Sequence, residues 1–327
     1  MNRRGFIAGL GSAAVIVCPR IVFAQKIGEM PKIAMVRVAP GDGQDIAMFD
    51  QGMRAAGWTK DINVRLDYYV GSDDTQLASS VVTEVLSSNP TIIVTIASPN
   101  TLAAHRLTST IPIVFAVVSY PIDQGIVPNL ARPGGNVTGF SYFDGGIGGK
   151  WLQLLLEMTP QRTRFVSMYN PTVGPIGDLF QRSIDDAARS LNVEVTRALV
   201  YTDSDIEAVF ERIAGARDIA LLVPSNAFTY IRSSMIAVLA AKYHIPAMYP
   251  ARRFVEEGGL VAYGPDLYHQ IYEAASYVDR ILKGAKPGDL PVQQPTKYPL
   301  VINLRAAKAL GLNIPPSLLA RADEVIE

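Results

Sequence analysis

The sequence predicts an α/β protein built as two doubly wound parallel-sheet lobes. Three observations lead there. Short β-rich runs alternate with helical stripes along almost the whole chain. Several of those runs are apolar nearly without interruption, Ile92-Ile93-Val94-Thr95-Ile96-Ala97 and Ile219-Ala220-Leu221-Leu222-Val223 being the clearest. Strands covered by helices on both faces read this way, which favours parallel pairing. The alternation breaks once, near residue 131, and starts again at Phe165.

Taken in order, strands are expected at 32–39, 64–70, 91–97 and 113–118, then at 165–169, 193–200, 219–224, 246–249 and 260–263. Between them, Ile46, Phe49, Met53 and Ala56 recur at helical spacing, as do Leu77, Val81, Val85 and Leu86. Trp151, Leu154, Leu155 and Met158 repeat the pattern, and so do Ile206, Val209, Phe210 and Ile213. Such stripes are core faces. The break itself, Ala131-Arg132-Pro133-Gly134-Gly135-Asn136, is turn chemistry, followed by an extended run at 137–142 and a Gly-rich step. The expected organisation is therefore two lobes of about five strands each, joined near residue 139. Further crossings are expected near Tyr263-Gly264-Pro265 and within 294–304. One lobe would comprise residues 25–139 and 264–293, the other 140–263 and 294–327. Several crossings let two lobes open and close as rigid bodies around a cleft.

Residues 1–24 stand apart from this pattern. Asn2-Arg3-Arg4 forms a basic head, an apolar Gly/Ala-rich run follows, and Val22-Phe23-Ala24 ends on a small residue before Gln25. That is the layout of a secretory signal peptide cleaved after Ala24. Its apolar run is too short to span a bilayer, which takes ~20 residues. The arginine pair followed by Gly5-Phe6-Ile7 looks like a twin-arginine export signal. The mature protein is thus expected in the periplasm. Cys18 is the sole cysteine and lies in this leader, so the mature chain has neither disulfide nor thiol chemistry.

Composition and motifs exclude several function classes. The chain carries 30 basic and 30 acidic residues, and three of the basic ones, Arg3, Arg4 and Arg20, fall in the leader. Nucleic acid as a partner would call for a basic stripe, and there is none. The three histidines, His105, His244 and His269, are far apart and form no zinc pattern. Gly41-Asp42-Gly43 begins like a dinucleotide fingerprint, but Ile46 holds the third glycine position. The run 144–151 imitates a phosphate loop with Asp144 for the first glycine and Trp151 for the Ser/Thr. No nucleophile–base set can be read, and no metal, cofactor or catalytic residue is expected.

What recurs is polar and aromatic residues just past the ends of the expected strands, where open α/β sheets bind ligands. The first lobe supplies Asp42, Gln44, Ser98, Asn100, Thr101, Ser119, Tyr120 and Asp123. The second supplies Tyr169, Asn170, Ser225, Asn226, Phe228 and Tyr249, with Arg252-Arg253 able to fork onto an anion. Tyr142, Tyr263 and Asp266 sit at or beside crossings. Each also suits ordinary capping or turn duty. Together they describe a cleft for a small polar or aromatic-bearing molecule rather than a reaction centre.

Pro112-Ile113-Val114-Phe115 and Leu130-Ala131-Arg132-Pro133-Gly134-Gly135-Asn136-Val137-Thr138-Gly139 resemble the ABC transporter substrate-binding protein family that includes tryptophan- and tyrosine-binding members. Arg253-Phe254-Val255-Glu256-Glu257-Gly258-Gly259-Leu260, Tyr263-Gly264-Pro265-Asp266 and Leu300-Val301-Ile302-Asn303-Leu304 carry the resemblance to the end of the chain. It implies a type I periplasmic-binding-protein fold with three crossings. It also implies a monomer that closes on a small organic solute, aromatic or amino-acid-like, with a carboxylate among the options, and docks on an ABC permease driven by a separate ATPase. A periplasmic sensing subunit on the same fold is the alternative. Where such proteins commonly carry Ser-Asp-Pro after the fourth strand, this chain has Ser119-Tyr120-Pro121, leaving Asp123 as the nearby carboxylate.

Overall fold

A computed structural model describes residues 30–38, 43–143, 145–172 and 175–327. The leader and Asp42 lie outside the described residues. Strands β1 (Lys32–Arg37), β2 (Arg65–Val70), β3 (Ile92–Ile96), β4 (Ile113–Val118) and β5 (Val137–Ser141) form one sheet in the order β2-β1-β3-β4-β5. Every pairing in it is parallel. Helices α1 (Gln44–Ala55), α2 (Thr75–Ser87) and α3 (Ser98–Leu107) connect its first four strands. All five residues of β3 are buried, whereas edge strand β2 buries only Leu66 fully. The apolar run marks a central strand for that reason.

The second sheet has seven strands rather than about five. After α4 (Ile147–Met158), the chain lays down β6 (Arg164–Tyr169), α5 (Ile176–Leu191), β7 (Glu194–Leu199), α6 (Asp203–Ile213) and β8 (Ile219–Leu222). Then come α7 (Ala227–Ile231), α8 (Ser233–Lys242), β9 (Ala247–Tyr249), α9 (Arg252–Glu256) and β10 (Val261–Tyr263). Helix α10 (Leu267–Leu282) precedes β11 (Leu300–Asn303), α11 (Leu304–Ala309), α12 (Pro316–Leu319) and β12 (Glu324–Ile326). The sheet order is β12-β11-β10-β9-β8-β6-β7. The two additional strands are β11 and β12, drawn from a stretch that reads as a crossing and a tail. β11 pairs antiparallel with β10, which needs no crossover helix.

The chain changes sheet three times. It leaves the first after Ser141, whose amide still bonds the Gln293 carbonyl at 2.8 Å. It returns after Tyr263, and α10 packs on the first sheet, burying Ile271, Ala274, Ala275 and Val278 with Ile33 and Met35. Close packing of α10 on α1 depends on Gly52, where a Cβ would meet the Tyr272 carbonyl at 2.4 Å. The last change follows Gln293 into β11. On the other side, Trp151 of α4 packs edge-on to Phe143 and donates its indole N–H to the Tyr263 carbonyl at 2.6 Å. One side chain thereby ties two of the crossings together.

Candidate functional site

The carboxyl ends of the two sheets face each other across a cavity of about 300 Å³. From the first sheet come Arg37 and Val38 at the end of β1, Ala97 to Pro99 after β3, and Val117 and Ser119 at the end of β4. The second sheet brings Ile176, Ser225 to Ala227, Tyr230, Ile231, Pro250, Ala251 and Arg253. Tyr142 at the first crossing and Leu267, Tyr268 and Ile271 of α10 complete the wall. Most of that surface is aliphatic or aromatic, with a few convergent polar groups, the make-up of a small-molecule site.

Two backbone positions on the cavity are strained. Ala97 sits at φ 68°, ψ 162°, a region populated almost only by glycine, and the β-branched Val117 sits at φ 60° beside a register shift in β4. At Ala97 the turn is sharp enough to aim the start of α3 at the cavity.

Charge on the wall is concentrated in Arg37, Asp45 and Arg253. Arg37 is 6% exposed and its Nε donates to Asp45 Oδ2 at 2.6 Å. Arg253 donates to Glu257 at 3.0 Å and lies 5.5 Å from the centre of the Tyr230 ring. Burial raises the Tyr142 phenol above its ordinary value, with Asp266 adding to it. Burial does the same for Tyr230, helped by Tyr268. Both hydroxyls are therefore neutral at physiological pH and can orient a ligand without exchanging protons with it.

Of the residues expected from sequence, Ser98, Ser119, Tyr142, Ser225 and Asn226 line this cavity. Asn226 has little polarity left for a ligand, since its amide donates to the Asn170 carbonyl at 3.0 Å and accepts from Phe228 N at 2.9 Å. Several others face inward or elsewhere. The Asn100 amide is buried against the Ile96 carbonyl at 3.0 Å, and the Thr101 hydroxyl meets that of Thr95 at 2.8 Å. Tyr169 bonds Asp178 at 3.0 Å, and Asn170 accepts from Thr172. Tyr249 is fully buried and stacked on Phe254, Phe228 lies under Arg232, and Tyr263 stacks on Tyr298. Tyr120 is buried edge-on to Phe180, joining the two lobes rather than lining the cavity. Asp123 is exposed on its loop. Gln44 and Asp266 line a second, more polar space of about 640 Å³ on the flank of the cavity, where Asp266 caps α10. Arg252 is there too, paired with Glu324 at 2.7 Å and with Glu256.

Residues 32–326 match the profile of the family described as ABC transporter substrate binding protein. The chain belongs to that family. A tyrosine-binding protein of Clostridioides difficile (strain R20291) is 27% identical over 265 residues, which is 81% of this chain and 75% of that one. A conserved domain protein from Vibrio cholerae superposes with a TM-score of 0.83 at 27% identity, covering 91% of this chain and all of that one. A Streptococcus pneumonia ABC domain in complex with L-Trp superposes at 0.80 with 23% identity, again over 91% of this chain and 100% of its own. The fold of this substrate-binding protein is accordingly the two-lobed type I periplasmic-binding one.

Among the described residues, one ion pair crosses the cleft of the binding protein. Arg232, between α7 and α8, stands 3.8 Å from Asp73, which precedes α2 on the opposite lobe. Its other carboxylate partner, Asp203, is on its own lobe. A partly exposed pair contributes up to ~1 kcal/mol. Asp73→Asn is expected to weaken solute binding by at most roughly fivefold at low salt. The difference should fade as salt screens the pair, which titrations at two ionic strengths would read. An unchanged affinity at both would remove the pair from the closure balance.

Proposed function

We propose that this protein is the exported solute receptor of an ABC importer. It captures a small aromatic, amino-acid-like carboxylate between its lobes and delivers it to a membrane permease worked by a separate ATPase. The observation that carries the reading is the cavity of about 300 Å³ walled by both sheets, mostly apolar and tyrosine-rich, with Arg37 on its first-lobe wall and Arg253 on its second-lobe wall. An aromatic ring suits Tyr142, Tyr230 and Tyr268, and a carboxylate suits the first-lobe side, where Arg37, Ser98 and the start of α3 converge. A relative named for tyrosine binding and a structural neighbour holding L-Trp support the same class. Residues 1–24 would export the chain to the periplasm, where it would work as a monomer.

The mechanism needs no bond to be made or broken. Solute contacts from both lobes exist together only when the cleft is shut, so binding shifts the population toward the closed form. The change of sheet after Ser141, with those after Tyr263 and Gln293, would supply the hinges. Calorimetric titration with L-tyrosine, L-tryptophan and their deaminated acids, paired with small-angle scattering, tests this. Binding of at least one, with a smaller radius of gyration when bound, is expected. No binding to any of them, with superimposable scattering profiles, would sink the proposal.

A further inference from the structure

Gln124 follows β4 and is not part of the cavity wall, yet it governs two residues that are. Its side-chain nitrogen donates to the Ser119 backbone carbonyl at 2.5 Å and to the Ser98 hydroxyl oxygen at 2.9 Å. An amide NH₂ carries two protons, so both are used. The Ser119 carbonyl also decides which way the amide faces, because the opposite flip would set oxygen against oxygen. In that orientation Gln124 Oε1 is buried with no hydrogen-bond partner. An unpaired buried acceptor is costly, and one that persists beside a ligand cavity marks a residue held for another purpose.

That purpose is legible at Ser98. Its oxygen already accepts from Gln124, so its own proton remains to be given, and the side chain lies on the cavity wall. Ser98 is also the first residue of α3, whose early N–H groups have no partner within the helix. We propose that Gln124 is a positioning residue: it holds the Ser98 hydroxyl as a hydrogen-bond donor and so makes this wall of the cavity select a solute carboxylate over a neutral carboxamide. The proposal rests on the reading of the cavity as a site for an aromatic carboxylate.

The test compares L-tyrosine with L-tyrosinamide, which differ only in the group that would face Ser98. Affinities are measured for the wild-type protein, Gln124→Glu, Gln124→Met and Ser98→Ala, with melting temperature followed in parallel. In Gln124→Glu the new carboxylate takes the Ser98 proton, so the hydroxyl can only accept from the solute. The acid-to-amide affinity ratio is expected to fall by roughly tenfold or more, the worth of one charge-assisted hydrogen bond. Gln124→Met and Ser98→Ala should each lower the ratio by a smaller factor; once Ser98 is alanine, Gln124→Met should change nothing further, whereas Gln124→Glu should keep only the part of its effect that is direct repulsion of the solute carboxylate. Loss of affinity for both probes by the same factor, with the ratio intact, would reduce Gln124 to a loop brace and overturn the proposal. Absence of wild-type binding to either probe is a different result, since it removes the site reading itself and the positioning role with it.

Discussion

Gly264→Ala is expected to cost about 3 kcal/mol or more of stability and to weaken solute binding at least tenfold, by roughly the logic of overpacking a contact that cannot relax. Gly264 stands at the second crossing. A Cβ there would lie 2.0 Å from the Pro250 carbonyl oxygen and 3.0 Å from the Phe143 ring. The first of these is backbone and cannot rotate aside. The amide of Gly264 also reaches the Pro299 carbonyl at 3.4 Å, so the second and third changes of sheet would be displaced together. Pro250 and its neighbour Ala251 are cavity residues, which links the crossing to the solute. Urea unfolding and calorimetry check the two halves of the expectation. A variant with the wild-type midpoint and affinity would show that the strand ends can part without cost.

The architecture was legible because its signals are local. Apolar runs that need cover on both faces, and stripes that need one, announce β3, β8, α4 and α6 without reference to the rest of the chain. β11 and β12 are less legible for a physical reason. Leu300-Val301-Ile302 follows a crossing, and its antiparallel place beside β10 depends on a partner far back in the chain, with Val261 facing Ile302. Nothing in the run itself says which sheet it joins. β5 is similar: its Gly139 admits the Phe115 backbone so closely that any Cβ would lie 2.1 Å from the carbonyl oxygen, and a glycine in the run reads instead as a link.

The site was legible at the level of loops, not of side chains. Strand ends locate Ser98, Ser119, Ser225 and Asn226 because the chain must leave the sheet there. They do not tell which way a residue one turn further on will face. Asn100 and Thr101 are in the same first turn of α3 as Ser98 but face inward, onto the Ile96 carbonyl and Thr95. Arg252 and Arg253 are adjacent in sequence, yet only Arg253 borders the cavity, while Arg252 closes an ion pair with the last strand. Tyr230 and Tyr268 carry no sequence signal, since each enters the site through an element placed by tertiary packing, and Gln124 reaches it only through Ser98 and Ser119. Arg37 had one: a cation directly after the apolar, buried run Ile33-Ala34-Met35-Val36.

That cation is the basis of the second large expectation. Arg37→Met leaves Asp45, whose side chain is 16% exposed, without its partner on the cavity wall. Removing one member of a buried pair strands the other charge, at about 3–5 kcal/mol when fully enclosed, so about 2–3 kcal/mol is expected here. Binding of a carboxylate solute should fall by roughly a hundredfold or more, because an attractive charge is replaced by a bare repulsive one. The two effects separate in the double variant Arg37→Met/Asp45→Leu. With both charges gone and the volume filled, stability should return to within about 1 kcal/mol of wild type, since apolar replacement of an ion pair is commonly neutral. Affinity should not return if Arg37 is the solute's carboxylate partner, because its guanidinium fork is still missing. Urea midpoints and titration with L-tyrosine give both numbers on the same samples. If the double variant regained full affinity, Arg37 would be no more than the counter-charge of Asp45, and the carboxylate end of the solute would have to be sought at Arg253 instead.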